Sequence, residues 1–172
     1  ANNFSSQIVV DHARTSSKEF IDAIDIETNS KIVMEVVMHS SKKSKALKKI
    51  DRPKAYILKK NQTEIIEKLD INGIKTITIE NDTTLSVGSY TVTALKNDFK
   101  IYEKMKMQDV DVRIDYSDIE FSKGDLILPM KQKKSNLIAE LMEPEAPNSY
   151  VSFGLIKTGI NKILPIYRIR EL

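Results

Sequence analysis

His12 and His39 are the chain's two imidazoles, and it has no cysteine. A catalytic zinc needs three protein ligands with water in the fourth position. His12 is followed by Ala13, Arg14 and Thr15, and His39 by Ser40, Ser41 and Lys42, so neither opens an H-x-x-E pair. Asp11, His12 and Glu19 form the nearest approach to a ligand set. On a helix, adjacent residues point about 100° apart, so Asp11 and His12 do not converge, and a plain surface helix accounts for them better. His39 ends a β-rich run and reads as a solvated histidine. The lack of cysteine removes disulfides, thiolate metal sites and cysteine nucleophiles together.

The carboxylates offer two further constellations. Asp109, Asp111, Asp115, Asp118 and Glu120 suggest calcium, and strand alternation puts Asp109 and Asp111 on one face. A calcium loop also needs a glycine turn and a bidentate acid at fixed offsets. Neither is present, so a solvated strand face is the reading. Glu143 and Glu145 flank Pro144. They could bind a substrate group or a neighbouring domain. The structural alternative is favoured: Pro144 and Pro147 stiffen an extended exit while Glu143 caps local backbone groups.

Basic residues cluster at Lys42, Lys43, Lys45, Lys48, Lys49, Arg52, Lys54, Lys59 and Lys60. Such a run could hold an anionic polymer. No aromatic residues interleave to stack on bases, so nucleic acid is not expected and a solvated rim is favoured. Lys59, Lys60 and Asn61 stand where a helix start could cradle phosphate, but no glycine-rich loop accompanies them.

These residues need elements to position them. Val9, Ala13, Ser16, Phe20 and Ile24 recur every three or four residues, which predicts a helix over 5–24. The run 31–39 is β-rich, and the lysine-rich 40–52 reads as a loop. Ala55–Leu58 is a short, continuously apolar strand. Asn61 and Glu64 then suggest a capping-box-like helix start, with Ile65, Ile66 and Leu69 as the buried stripe and Gly73 as a left-handed C-cap. Ile74–Ile79 alternates and is β-branched, hence a strand. Strand, helix and strand make a βαβ unit over 53–80 with an expected right-handed crossover. Strands are predicted at 89–95 and 109–114. A hairpin is predicted from 119–121 through a Ser-Lys-Gly-Asp turn to 126–128. A helix over 136–143 is stopped by Pro144, and a last strand covers 163–172.

The fold class expected is α/β: a mixed sheet with a βαβ unit and flanking helices, three-layer-like. Residues 1–28 read as a helix continuing from an upstream domain, and 29–172 as an α/β accessory domain. With 172 residues, 41% of them hydrophobic, the chain can bury a real core. No apolar run approaches the ~20 residues of a membrane helix. No basic region followed by an apolar stretch opens the chain, so no signal peptide is expected within it.

One string ties these pieces to a family. Gly124, Asp125, Leu128, Pro129, Gln132, Leu141, Met142, Glu143, Pro144, Glu145, Pro147, Asn148, Ser149, Phe153 and Gly154 resemble a pattern found after the catalytic domain of bacterial zinc carboxypeptidases. The stretch RPKAYIL at 52–58, with the following helix, Gly73 and Asp82–Leu85, extends the resemblance over roughly 50–155. Lys131, Lys133 and Lys134 depart from a loop that is often less charged, and Asn148 stands where Asp is common. The resemblance implies a non-catalytic C-terminal domain whose parent removes C-terminal residues from peptides. It implies zinc in the parent's catalytic domain and none in this chain. The implied partner is that upstream domain, and an extracellular or cell-envelope setting is slightly favoured. The family's histidines, substrate-binding arginine and general-base glutamate have no counterparts here, so no catalytic, cofactor-binding or metal residue is assigned. The βαβ unit is also faintly similar to glutamine-amidotransferase-like domains, whose cysteine nucleophile this chain lacks. The alternative from another class is a stand-alone module binding an anionic polymer through the lysine cluster.

Overall fold

The computed structural model describes residues 6–96, 101–102 and 104–170, with Ser41 described by its backbone alone. Residue 5 of the predicted first helix and residues 171–172 of the predicted last strand lie outside them. The first helix is not formed. Gln7–Ile24 is a strand, β1, paired antiparallel with β2, Lys31–Asp51, in a long two-stranded ribbon. The apolar residues of β1 follow two periods at once. Ile8 and Val10 alternate and are buried, whereas Phe20 and Ile24 stand exposed at the far end. The lysine-rich stretch expected as a loop is half of this ribbon, because pairing with β1 satisfies its backbone. Asp25 closes the tip: its carboxylate accepts the Glu27 and Thr28 amides at 2.8 and 3.3 Å. Asn29 takes the left-handed conformation at φ 53°, a region asparagine tolerates.

The rest of the chain builds β3 (Ala55–Leu58), α1 (Thr63–Ile71), β4 (Ile77–Thr78), β5 (Thr83–Lys96), β6 (Ile101–Tyr102), β7 (Met105–Lys106), β8 (Asp109–Phe121), β9 (Leu126–Pro129), α2 (Ser135–Met142) and β10 (Ile163–Ile169). Six of these strands form one sheet in the order β4-β9-β3-β10-β5-β8, antiparallel at every step, while β6 and β7 make a small hairpin of their own.

The predicted α/β three-layer architecture is thereby overturned. The strand–helix–strand order over 53–80 is present, but β9 lies between β3 and β4, and both pair with it rather than with each other. The 119–128 hairpin is corrected in the same way. Phe121 pairs with Thr83, and Leu126 with Leu58 and Thr78. Helix α1 starts after Gln62 with no side-chain cap, so Asn61 is not its cap. Its other end matches expectation: Gly73 sits at φ 59°, its amide bonding Asp70 O, and Ile74 N bonds Leu69 O at 3.0 Å.

Connection lengths dictate the sheet's shape. β8 and β9 occupy places six and two, four strand spacings apart, or about 19 Å across a flat sheet. Residues 122–125 alone join them, and five Cα steps reach at most about 18 Å. Part of that reach is lost in a turn, where Asp125 N bonds Ser122 O at 3.0 Å. Residues 79–82 make an equal jump from β4 to β5. The sheet must therefore curl round on itself. Gly88 helps: a Cβ there would lie 2.9 Å from side-chain atoms of Ile114 and Tyr116 on β8.

The curl makes two cores. On one face, Tyr56, Leu58, Tyr90, Leu128 and Ile166 pack with Ile65 and Leu69 of α1, Ile138 and Met142 of α2, and Ile8 and Val10 from the ribbon's base. On the other face, Ala55, Ile57, Val87, Phe121, Tyr167 and Ile169 are buried against one another without a helix to cover them.

Candidate functional site

The string 124–154 that carries the resemblance runs from the sheet's closing turn, along α2, to the loop that leads to β10. Its residues have defined positions. Asp125, 1% exposed, accepts the amides of Lys60 and Ser122 at 3.0 Å each and the Lys59 ammonium at 3.1 Å. Burial alone would raise its pKa, but these donors outweigh it and hold the carboxyl below the usual carboxylate range. Lys59 also lies 4.3 Å over the Phe121 ring and donates to Glu120 O, and Lys60 donates to Lys123 O at 2.8 Å. The lysines expected as a possible phosphate cradle are thus spent on fastening the turn that joins β8 to β9. Gln132 acts like a strand residue. Its amide accepts Lys75 N at 2.9 Å and donates to Lys75 O and Pro129 O at 3.0 and 2.7 Å.

The two glutamates around Pro144 point into different surroundings. Helix α2 ends as Glu143 turns extended at ψ 118°, the geometry a following proline imposes. Glu143 is 5% exposed and takes the hydroxyls of Tyr56 (2.5 Å) and Tyr90 (2.8 Å) on one oxygen. Arg168 Nε faces the same oxygen at 3.7 Å, and Arg168 Nη2 donates to Asp51 O at the ribbon's base. Burial, and then the charge of Glu143, push both tyrosines well above the ordinary tyrosine range. Glu143 therefore binds side chains of β3, β5 and β10, not the local backbone groups predicted. Glu145 instead accepts Val112 N of β8 at 3.2 Å and pairs with Lys48 of β2. Beyond it, Ser149 and Ser152 are buried and bond each other and the carbonyls of Pro144 and Ala146.

A cleft of ≈ 720 Å³ opens beside Glu145, lined in part by Asp11, Lys48, Lys96, Gln108, Asp109 and Asp111. Its two lysines are paired, since Lys96 lies 3.5 Å from Asp109 and 2.8 Å from Asp111 and Lys48 holds Glu145, but the acids outnumber them, with Asp11 also in the lining. Farther along β8, Arg113 pairs with Asp115 at 2.9 Å. The acidic stripe is thus tied to basic neighbours, with Asp118 and Glu120 exposed at the far end.

The structure does not bring the other candidates together. Asp11 lies opposite Lys48 and His12 opposite Ala46, with a break in register between them. Glu19 lies seven residues on from His12, about 23 Å along the strand, and accepts from Ser17 at 2.8 Å. His12 pairs with Ala46 and His39 with Ser16, so the imidazoles sit apart on the ribbon. Among the described residues, no group of three His, Cys, Asp or Glu side chains is placed to hold a metal, so these residues do not fit a zinc centre. The lysine cluster is split, with Lys42, Lys43, Lys45 and Lys49 exposed on β2. Lys48, Lys59 and Lys60 have internal partners, and Arg52 bonds Ser135 and Asn136 of α2. Sequence reasoning missed the buried Tyr56, Tyr90 and Arg168. Their only signal was a polar group within otherwise apolar strands.

With this geometry in view, comparison with known proteins gives one consistent result. The chain is 26% identical over 118 residues to Carboxypeptidase 2 of Trichophyton tonsurans, and 26% identical over 119 residues to those of Trichophyton rubrum and Trichophyton equinum. Each match covers 69% of this chain but 22% of the fungal protein, so the chain spans about a fifth of the length of these relatives. No family model and no solved structure matches. The similarity is distant and supports a carboxypeptidase-related domain.

Proposed function

We propose that this chain is a non-catalytic accessory domain of a carboxypeptidase-like polypeptide whose zinc and general base lie in another domain. One observation carries the reading. The ionisable residues of the shared string are engaged within the fold: Asp125 fastens the sheet's closure, Glu143 the two tyrosines and Arg168, and Glu145 the ribbon and β8. Groups so committed position elements of the fold. The relatives' name supplies the reaction class, removal of C-terminal residues from peptides.

The test is an assay on C-terminal peptide substrates with this chain alone and with the complete polypeptide that contains it. The expected result is chelator-sensitive turnover by the complete polypeptide and none by the chain. Chelator-sensitive turnover by the chain alone would sink the proposal.

A further inference from the structure

The outer part of the β1–β2 ribbon carries apolar side chains that stand exposed among the described residues. Directly opposed residues of an antiparallel pair share a face. The register sets Ile21 beside Met34, Ala23 beside Ile32, Glu19 beside Val36 and Ser17 beside Met38. One face therefore carries Ile21, Ala23, Ile32, Met34, Val36 and Met38, with Ile21, Met34 and Met38 42%, 45% and 44% exposed. The opposite face carries the ion pairs Lys18–Glu35 (2.7 Å) and Asp22–Lys31 (2.8 Å) interleaved with Phe20, Ile24, Val33 and Val37, which are 74%, 68%, 65% and 57% exposed. An isolated two-stranded hairpin is marginal in water, and a contiguous exposed apolar surface marks an interaction site. The base, by contrast, is anchored by Ile8, Val10 and the Lys48–Glu145 pair.

Area decides between occupants. Eight residues per strand, from Ser17 to Ile24, give a face roughly 26 Å long and roughly 10 Å wide. Two copies packed face to face would bury roughly 500 Å² in all, against the ~1,200 Å² or more of a stable complex. A domain on the same polypeptide needs far less, because linkage supplies a millimolar effective concentration. It could also close round both faces and reach the ~600 Å² of an interdomain contact. The relatives have such a domain's worth of chain, since the matched stretch is 22% of their length. We infer that the face formed by Ile21, Ala23, Ile32, Met34, Val36 and Met38 docks into an apolar groove on another domain of the same polypeptide. This inference rests on the accessory-domain reading.

Amide hydrogen exchange on the complete polypeptide tests it. Residues 17–23 and 32–38 are expected to exchange at least about tenfold more slowly than an exposed hairpin. Met34→Glu and Val36→Glu should abolish that protection while β3 and β10 stay protected. Fast exchange in the unsubstituted polypeptide overturns the inference. So does protection lost on dilution, which would assign the face to a second copy, or a complete polypeptide with no further domain. Peptidase activity measured on the same sample separates the two ideas. An inactive polypeptide with a protected ribbon sinks the carboxypeptidase reading, and an active one with an unprotected ribbon sinks the docking.

Discussion

Glu143 is the residue on which most of the interior polar chemistry converges. Removing one partner of a buried charged pair leaves the other uncompensated, at a cost of about 3–5 kcal/mol. Glu143→Ala should therefore lose stability of that order in denaturant unfolding, with Arg168 and both tyrosine hydroxyls stranded. The same contacts give a pH signature. Tyr56 and Tyr90 have folded-state pKa values raised above their unfolded ones. The neutral hydroxyls then contribute stability that is complete below the ordinary tyrosine pKa of about 10 and is lost as pH rises toward the folded values. Phenolate absorbance should show these two tyrosines ionising only together with unfolding, whereas Tyr56→Phe combined with Tyr90→Phe should flatten the alkaline loss. Ionisation of both in a chain that keeps its native circular dichroism would contradict the assignment. Glu143 was visible in the sequence as half of a Glu-Pro-Glu motif. Its partners were not, because they come from three strands whose adjacency no local pattern records.

Elements were legible where packing enforces a period. Helix α2, Ala55–Leu58 and the Gly73 cap follow the sequence because each lies against a core that selects one face. The ribbon was legible only in part: 31–39 read as β-rich and lies in β2, whereas 5–24 read as a helix and 40–52 as a loop. Spacing from Val9 to Ile24 matched a helical stripe by composition, and the Lys- and Ser-rich partner looked like a loop. Strand identity came from pairing across the tip. The anchored base and the free outer half should respond differently to substitution. Ile8→Ala, which opens a cavity in the core, is expected to cost about 2–5 kcal/mol. Phe20→Ser, at a position 74% exposed, should stay within about 0.5 kcal/mol in this chain. Thermal or denaturant unfolding of the pair checks this, and equal losses would mean that the outer ribbon is packed after all.

At the scale of the molecule, the curl of the sheet takes the place of a second layer of helices. Phe121 sits where β8 bends toward β9, 1% exposed, with its ring edge-to-face on Tyr167 at 5.1 Å and Lys59 above it. Phe121→Ala should cost about 3–5 kcal/mol in unfolding experiments, although it is the last residue of its strand. The predicted βαβ unit failed at this scale and below it. Its second strand shrank from 74–79 to Ile77–Thr78, Asn61 does not cap its helix, and β9 lies between the two strands. Strand order has a further consequence. β10, synthesised after every other element, lies between β3 and β5 and pairs with both. Without residues 163–169, β4-β9-β3 and β5-β8 have no backbone ladder between them. A domain lacking β10 would expose two unpaired strand edges in the middle of its sheet.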